Sequence, residues 1–230
     1  MSIVTIRGNM GSGAPEIGKL VADNLHFDYI DREIIDKVAE LLQGSKQDIE
    51  MKEMPPGSLS RRIGEALRRA YPTRRKIGLL PRWEYEDVSL PTWEKPVDDA
   101  HYLAGLESVI KDLAKSSSIV IRGRGTQFIL KGYAGTLRIL IVAPLPLRVK
   151  RIMENLKLDE RNAKKEIENY DSSRREFIRR YFHGDLENPV DFDLVINTEF
   201  INYEDAASII VDALLVKDKF NARGKAQSHF

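Results

Sequence analysis

Residues 2–25, SIVTIRGNMGSGAPEIGKLVADNL, contain three kinds of sequence in succession. Ser2 to Arg7 is short, apolar and β-branched and stops at Gly8, which is the pattern of a buried strand. Gly8, Asn9, Met10, Gly11, Ser12 and Gly13 follow as a glycine-rich turn. From Pro15 onward Ile17, Leu20, Val21 and Leu25 recur at helical spacing, and Pro15 suits the first helical position, where an N–H has no intrahelical partner to lose. The order is strand, glycine loop, helix.

The same alternation runs outward along the chain. Phe27–Ile30 reads as a short strand and Asp31–Leu42 as a helix with Asp31 at its N-cap. A helix over 101–114, strands over Ile119–Arg122 and Leu137–Ala143, helices over Pro144–Leu156 and 159–182, a strand over Phe192–Ile196 and a helix over 203–216 complete it. Short apolar strands separated by helices of this length call for parallel pairing, because a parallel neighbour needs a long crossover. The prediction is an α/β domain over 1–216: a three-layer parallel sheet of about five strands flanked by helices. Residues 43–100 hold six of the ten prolines and both tryptophans and read as an inserted subdomain. Residues 217–230 lack periodicity and read as a mobile tail.

Composition narrows the function classes. The 230 residues carry 36 Lys and Arg against 35 Asp and Glu, a net charge of +1, with 42% hydrophobic and 31% charged residues, so the chain is globular. The absence of Cys excludes a disulfide scaffold, thiolate metal sites and a thiol nucleophile. The four histidines have no metal-ligand spacing, and no metal-ligating set is expected. No apolar run reaches the roughly 18 to 20 residues that cross a bilayer, and the start of the chain enters a strand directly, so a cytoplasmic protein without a membrane partner is expected. Near-neutral charge argues against a dedicated nucleic-acid binder. One local patch runs the other way: residues 61–82 carry eight basic side chains against Glu65, able to bind phosphates or RNA, or to be neutralised by the acidic stretch from Glu84 to Asp99.

Three stretches carry candidate chemistry. In Gly8–Gly13, successive N–H groups and a helix N-terminus can converge on phosphate. The spacing matches the phosphate-binding loop G-x-x-x-x-G-K-[ST], but Ala14 replaces the lysine and Pro15 the magnesium-holding hydroxyl. A lost charge-assisted contact is worth about 1.5–3 kcal/mol, and a lost donor to developing charge about 2.7–4 kcal/mol of transition-state stabilisation. Binding survives such losses more readily than catalysis does. Gly123-Arg124-Gly125, after the strand at Ile119, puts Arg124 beyond the carboxyl edge of the sheet, where open α/β folds bind ligands. Asp171 to Phe182 carries Arg174, Arg175, Arg179 and Arg180 on a helix, and Arg174 or Arg179 can supply the cation that Ala14 removed. Each stretch also has a purely structural reading, as a tight βα turn, a surface arginine and a solvated helix face.

Together, Gly11-Ser12-Gly13 with Glu16-Ile17-Gly18, residues 29–35 (YIDREII), Gly123-Arg124-Gly125, Arg151-Ile152-Met153, Asp171 to Phe182 and residues 193–198 (DLVINT) resemble the cytidylate kinase-like family, a branch of the P-loop nucleoside monophosphate kinases. The resemblance spans most of residues 2–216 and is weak in 43–100. It implies a nucleotide-monophosphate-binding insertion at 43–100, an arginine-bearing lid at 157–190, ATP and Mg as donor system, and CMP or a similar small acceptor. It further implies that Gly8, Asn9, Met10, Gly11, Ser12 and Gly13 cradle the donor phosphates, that Asp31 and Arg124 face the acceptor, and that Arg174 and Arg179 act in catalysis. In this branch the loop commonly reads G-S-G-G-R-E-I-G, so the missing lysine is shared, whereas Pro15 is this chain's own departure. Gly125 stands where an acidic residue follows the arginine in better-known cytidylate kinases, which weakens the CMP assignment. Two functions follow: a phosphotransferase, or a catalytically impaired nucleotide-binding protein with a regulatory or partner-binding role. An RNA binder using 61–82 is a third, and fold alone does not choose among them.

Overall fold

In the computed structural model, which describes residues 1–31, 33–42, 46–53 and 98–227, the first strand lies at the centre of the sheet. This strand, β1 (Ile3–Gly8), is flanked by β3 (Ile119–Arg122) and β4 (Thr136–Val142), with β2 (Asp28–Ile30) and β5 (Leu194–Asn197) outside them. The order is β2-β3-β1-β4-β5 and every pairing is parallel. Ile6 lies opposite both Arg122 and Ile139, so the carboxyl ends of β1 and β3 finish level, at the edge where the glycine loop leaves.

The helices are α1 (Ala14–Leu25), α2 (Glu33–Leu41), α3 (Lys46–Lys52), α4 (Asp99–Ser116), α5 (Thr126–Ile129), α6 (Leu145–Leu156), α7 (Glu160–Phe182) and α8 (Tyr203–Gln227). Two cores lie on opposite faces of the sheet. On one face Val4, Ile6 and Ile139 pack against Ile17 and Val21 of α1 and Ala206 and Ile210 of α8. On the other, Ile3, Ile119 and Ile121 pack against α2, α4 and α7 through Ile34, Tyr102 and Phe177. Burial on both faces leaves every position of β1 inside, with Ile3, Val4 and Ile6 each contributing about 1.5–3 kcal/mol. Among the described residues no helix is long and apolar enough to cross a membrane.

Several boundaries differ from the sequence reading, each for a visible reason. Helix α2 starts at Glu33 rather than at an Asp31 cap, because the Asp31 carboxylate is taken by Arg122 and Arg124. Strand β5 starts at Leu194 because Phe192 closes the 3₁₀ turn Pro189–Asp191, donating its N–H to Pro189 O at 3.1 Å. Helix α4 begins earlier than 101, capped by Asp98, whose carboxylate accepts the His101 N–H at 2.8 Å. The segment read as a tail continues α8 to Gln227. Its first residues are anchored: Lys217 Nζ reaches Asp193 Oδ2 at 2.7 Å, and Ser2 Oγ donates to Asp218 Oδ2 at 2.6 Å. The basic stretch 61–82 and most of the 43–100 insertion lie outside the described residues.

Asp193 fastens β4, β5 and α8 together. Its Oδ2 accepts from the Arg138 N–H at 2.9 Å as well as from Lys217, and its Oδ1 from Arg138 Nη2 at 3.0 Å. Burial pushes this carboxyl up, but the bonds from Arg138 and Lys217 outweigh it and hold the group at about 2, below its ordinary 3.8. A depressed acid contributes stability that is full above its unfolded value and lost as pH falls through the folded one. Asp193→Asn is therefore expected to cost about 1 kcal/mol near neutral pH after solvent screening, and to converge with the parent as pH drops from 4 to 2. Urea unfolding across that range measures both.

Candidate active site

The glycine loop is positioned by neighbours that grip its backbone. Gly11 (φ 79°) and Gly13 (φ 93°) take left-handed conformations, and the Ser12 N–H closes the turn onto Asn9 O at 3.0 Å. Asp171 of α7 accepts the Met10 N–H at 3.1 Å and, with its other oxygen, Arg148 Nη1 at 2.6 Å. Arg148 also donates to Met10 O at 3.3 Å. Arg151, one helical turn along α6, donates to Gly11 O at 3.1 Å and to Thr198 Oγ1 at 2.9 Å. Asn9 Nδ2 donates to Glu187 Oε1 at 2.8 Å.

These bonds turn loop carbonyls toward α6 and leave helix-terminal amides available. The Ile17 N–H is the first of α1 to find a carbonyl, Gly13 O at 3.0 Å, so the Ala14 and Glu16 amides precede the helical ladder. Pro15, at the second helical position, has none to offer. Ala14, where a lysine would stand, is 1% exposed and packed in the core. Over the loop lies a cavity of about 180 Å³, walled by Gly8 to Gly11, Gly13, Arg122, Arg151, Tyr170 and Tyr203.

Beside it, arginines from three elements converge. Arg122, at the end of β3, donates from Nε and Nη2 to Asp31 Oδ2 at 2.9 and 2.6 Å. Arg124 donates from Nη1 to Asp31 Oδ1 at 3.3 Å and from Nε to Glu53 Oε1 at 2.8 Å. Arg174 of α7 donates to Glu53 Oε2 at 3.3 Å and lies over the Tyr170 ring at 5.2 Å. Arg7, the residue before the loop, is 6% exposed; its Nη1 donates to Gly8 O at 2.8 Å, while Nε and Nη2 have no partner among the described residues. Burial pushes the Arg7 guanidinium down to about 10, with Arg174 adding to the effect and Tyr170 and Asp171 opposing it. Burial also acts on the Tyr170 phenol, upward, but Arg174 and Arg122 outweigh it and leave the group below its ordinary value. Among the described residues, Asp31 and Glu53 are the carboxylates bonded to this cluster, while Asp171 and Glu187 act on Arg7 through space.

Gly123, Arg124 and Gly125 take three consecutive left-handed conformations, with φ of 78°, 55° and 70°. This holds the Arg124 side chain under the cluster, at the expense of a strained non-glycine residue. At Gly125 a Cβ would run into the Phe182 ring, so the acidic residue expected after the arginine has no room.

The structure therefore brings Gly8 to Gly13 together as one loop, places Asp31 and Arg124 in direct contact, and joins Arg174 to them through Glu53. It places Arg179 elsewhere: its side chain is 73% exposed, pairs with Glu176 at 3.3 Å and lines neither cavity. Sequence reasoning missed Arg7, Glu53, Arg122 and Tyr170. Arg7 and Arg122 were findable as basic residues ending buried strands at the ligand-binding edge; Glu53, inside the insertion, gave no signal.

The model of the cytidylate kinase-like family matches residues 3–200. The chain belongs to this family. It is 30% identical to the cytidylate kinase of Desulfurococcus amylolyticus over 72% of this chain and 92% of that one. It is also 31% identical to the uronate isomerase of Corynebacterium glutamicum over 48% of this chain, but spans only 21% of that protein. Two further cytidylate kinases are matched over about half their length. Among solved structures, an uncharacterized protein from Eubacterium ventriosum superposes with a TM-score of 0.63 at 16% identity, covering 93% of this chain and 98% of that one, a likeness of fold.

Two glycines with nearly the same φ, Gly11 and Gly123, separate conformational strain from steric exclusion. At Gly11 an added Cβ meets the Arg148 backbone oxygen at 2.9 Å, whereas at Gly123 nothing lies within 4 Å. Gly123→Ala is expected to cost about 1–2 kcal/mol for the left-handed conformation alone. Gly11→Ala should cost at least about 1 kcal/mol more, because a main-chain atom cannot step aside. Chemical denaturation of the two variants makes the comparison.

Proposed function

We propose that this protein is an ATP-dependent phosphotransferase that moves the γ-phosphoryl group of ATP to a nucleoside monophosphate of the CMP type or a related small acceptor, releasing ADP and the phosphorylated acceptor. The observation that carries the reading is the adjacency of two cavities. One, of about 180 Å³, lies over the glycine loop; the other, of about 20 Å³, is a slot walled by Arg7, Arg122, Arg124 and Arg174, the cluster an acceptor phosphate would meet, and both share Gly8, Arg122 and Tyr170. Family membership supports the same reading.

Phosphoryl transfer suits such a site because the protein needs mainly to align two anions and neutralise the charge that builds between them. The donor's phosphates fit the loop, whose Ala14 and Glu16 amides and helix N-terminus favour negative charge. Magnesium fits as an ion carried by the phosphates. Pro15 supplies no hydroxyl, and among the described residues no group of three or more His, Cys, Asp or Glu side chains could hold a metal, so phosphate oxygens and water would supply its ligands. On the acceptor side Asp31 and Glu53 occupy the guanidinium donors that a phosphate would use. An incoming phosphate exchanges with Glu53, the carboxylate shared by Arg124 and Arg174.

A second reading, nucleotide binding without useful turnover, is favoured by Ala14 and Pro15 and by Asp171, which already holds the Met10 amide. Incubation with Mg-ATP and a panel of nucleoside monophosphates, following ADP formation beside a binding titration, separates the two; binding without ADP formation selects the second. Under the first, Arg174→Ala is expected to lower kcat about 100- to 1000-fold, the effect of removing one donor to developing charge. Arg179→Ala, on an exposed pair, should stay within about threefold of the parent. Equal loss in both would remove Arg174 from the proposed chemistry.

A further inference from the structure

Arg7 is the member of the arginine cluster to which no carboxylate is bonded among the described residues; Asp171 and Glu187 act on it only through space. Arg122 and Arg124 are bonded to Asp31, and Arg124 and Arg174 to Glu53, whereas the only hydrogen bond of the Arg7 side chain among the described residues goes to the neighbouring Gly8 carbonyl. Its Nε and Nη2 are buried and have no hydrogen-bond partner among the described residues. Leaving a buried charged group without acceptors is costly, and such groups in native structures call for an explanation beyond folding.

The position supplies one. Arg7 is held from below, on the strand that runs into the loop, rather than on a tether from the helix that leaves it. It lines a cavity of about 20 Å³ together with Gly8, Arg122, Arg124, Tyr170 and Arg174. That is room for one oxygen-sized group and too little for a whole phosphate. The larger cavity over the loop adjoins it through Gly8, Arg122 and Tyr170. A phosphate seated in the larger space can therefore extend one oxygen toward Arg7.

We infer that Arg7 is a catalytic residue in which the buried Nε–H and Nη2–H groups grip an oxygen of the outermost phosphate on the glycine loop, the service that the absent loop lysine would otherwise give. This rests on the proposed phosphate-binding role of the loop and deepens it. The guanidinium is matched to the task, since it presents parallel donors to one oxyanion and stays protonated when buried. Among the described residues its Nε–H and Nη2–H find an acceptor only when the ligand is present, so binding offsets the cost of burying them unbonded.

The test uses the full chain and inorganic pyrophosphate as probe, read by thermal unfolding and titration without turnover. Arg7→Met is expected to raise the melting temperature of the free protein, because an unanswered buried charge is replaced by an apolar chain of similar length. It should also weaken pyrophosphate binding about ten- to hundredfold. Arg7→Lys, which keeps a charge but not the fork, should retain part of the binding. Parental pyrophosphate affinity in both variants would overturn the inference, and so would failure of Arg7→Met to fold, since the guanidinium would then serve structure rather than ligand. Loss of pyrophosphate binding in Arg7→Met from a parent that shows no kinase turnover would sustain the role of Arg7 while removing the phosphotransferase reading. Kinase turnover undiminished in Arg7→Met would do the reverse.

Discussion

A cluster of arginines buried at one edge of the sheet is the constraint around which the rest of the molecule is arranged. Arg7 and Arg122 end adjacent parallel strands, Arg124 sits on a left-handed turn just beyond, and Arg174 descends from α7. Among the described residues, Asp31 and Glu53 are the carboxylates bonded to them. Burying ion pairs rarely adds stability, and burying an unpaired ion subtracts from it. The fold tolerates the arrangement because both faces of the sheet carry deep apolar cores that offset the loss. A net charge of +1 over the whole chain conceals this polarity, which exists only once the strands are in register.

Asp171 links that edge to the loop. It sits three residues before Arg174 on one helix, so the same face of α7 presents a carboxylate to the Met10 amide and a guanidinium to the small arginine-lined cavity. Arg148 completes the joint by bonding both Asp171 and the Met10 carbonyl. A displacement of α7 would move loop and arginine together. In a reaction governed by alignment, that coupling keeps the two halves of the site in one frame.

How far the sequence discloses this depends on the range of the interaction. Strands and helices are set by local periodicity, and β1, the glycine loop and α1 follow directly from residues 2–25. Where local chemistry has a distant competitor the reading shifts. Asp31 looks like a helix cap and is instead an acceptor for two arginines some ninety residues away. The segment after residue 216 looks like a tail and instead continues α8, its first residues held at Lys217 by Asp193 and at Asp218 by Ser2. Arg174 and Arg179 are alike in sequence, yet five residues on a helix carry them to different sides, one onto Glu53 and one into solvent. Glu53 belongs to an insertion whose packing no periodicity announces.

The missing lysine then takes on a different meaning. A lysine at the helix N-terminus is a mobile point charge that must fold back over the phosphates and lose side-chain entropy on doing so. Ala14 instead turns into the core, where its small side chain lets β1 and α1 approach closely beside Gly8. Cationic character moves to the strand beneath the loop and to the helix above it, on groups whose geometry is fixed before any ligand arrives. Such preorganisation spares reorganisation during a reaction and is paid in the stability of the free protein. A site of this kind favours ligands that bring enough negative charge to repay the burial, which is the property of a polyphosphate.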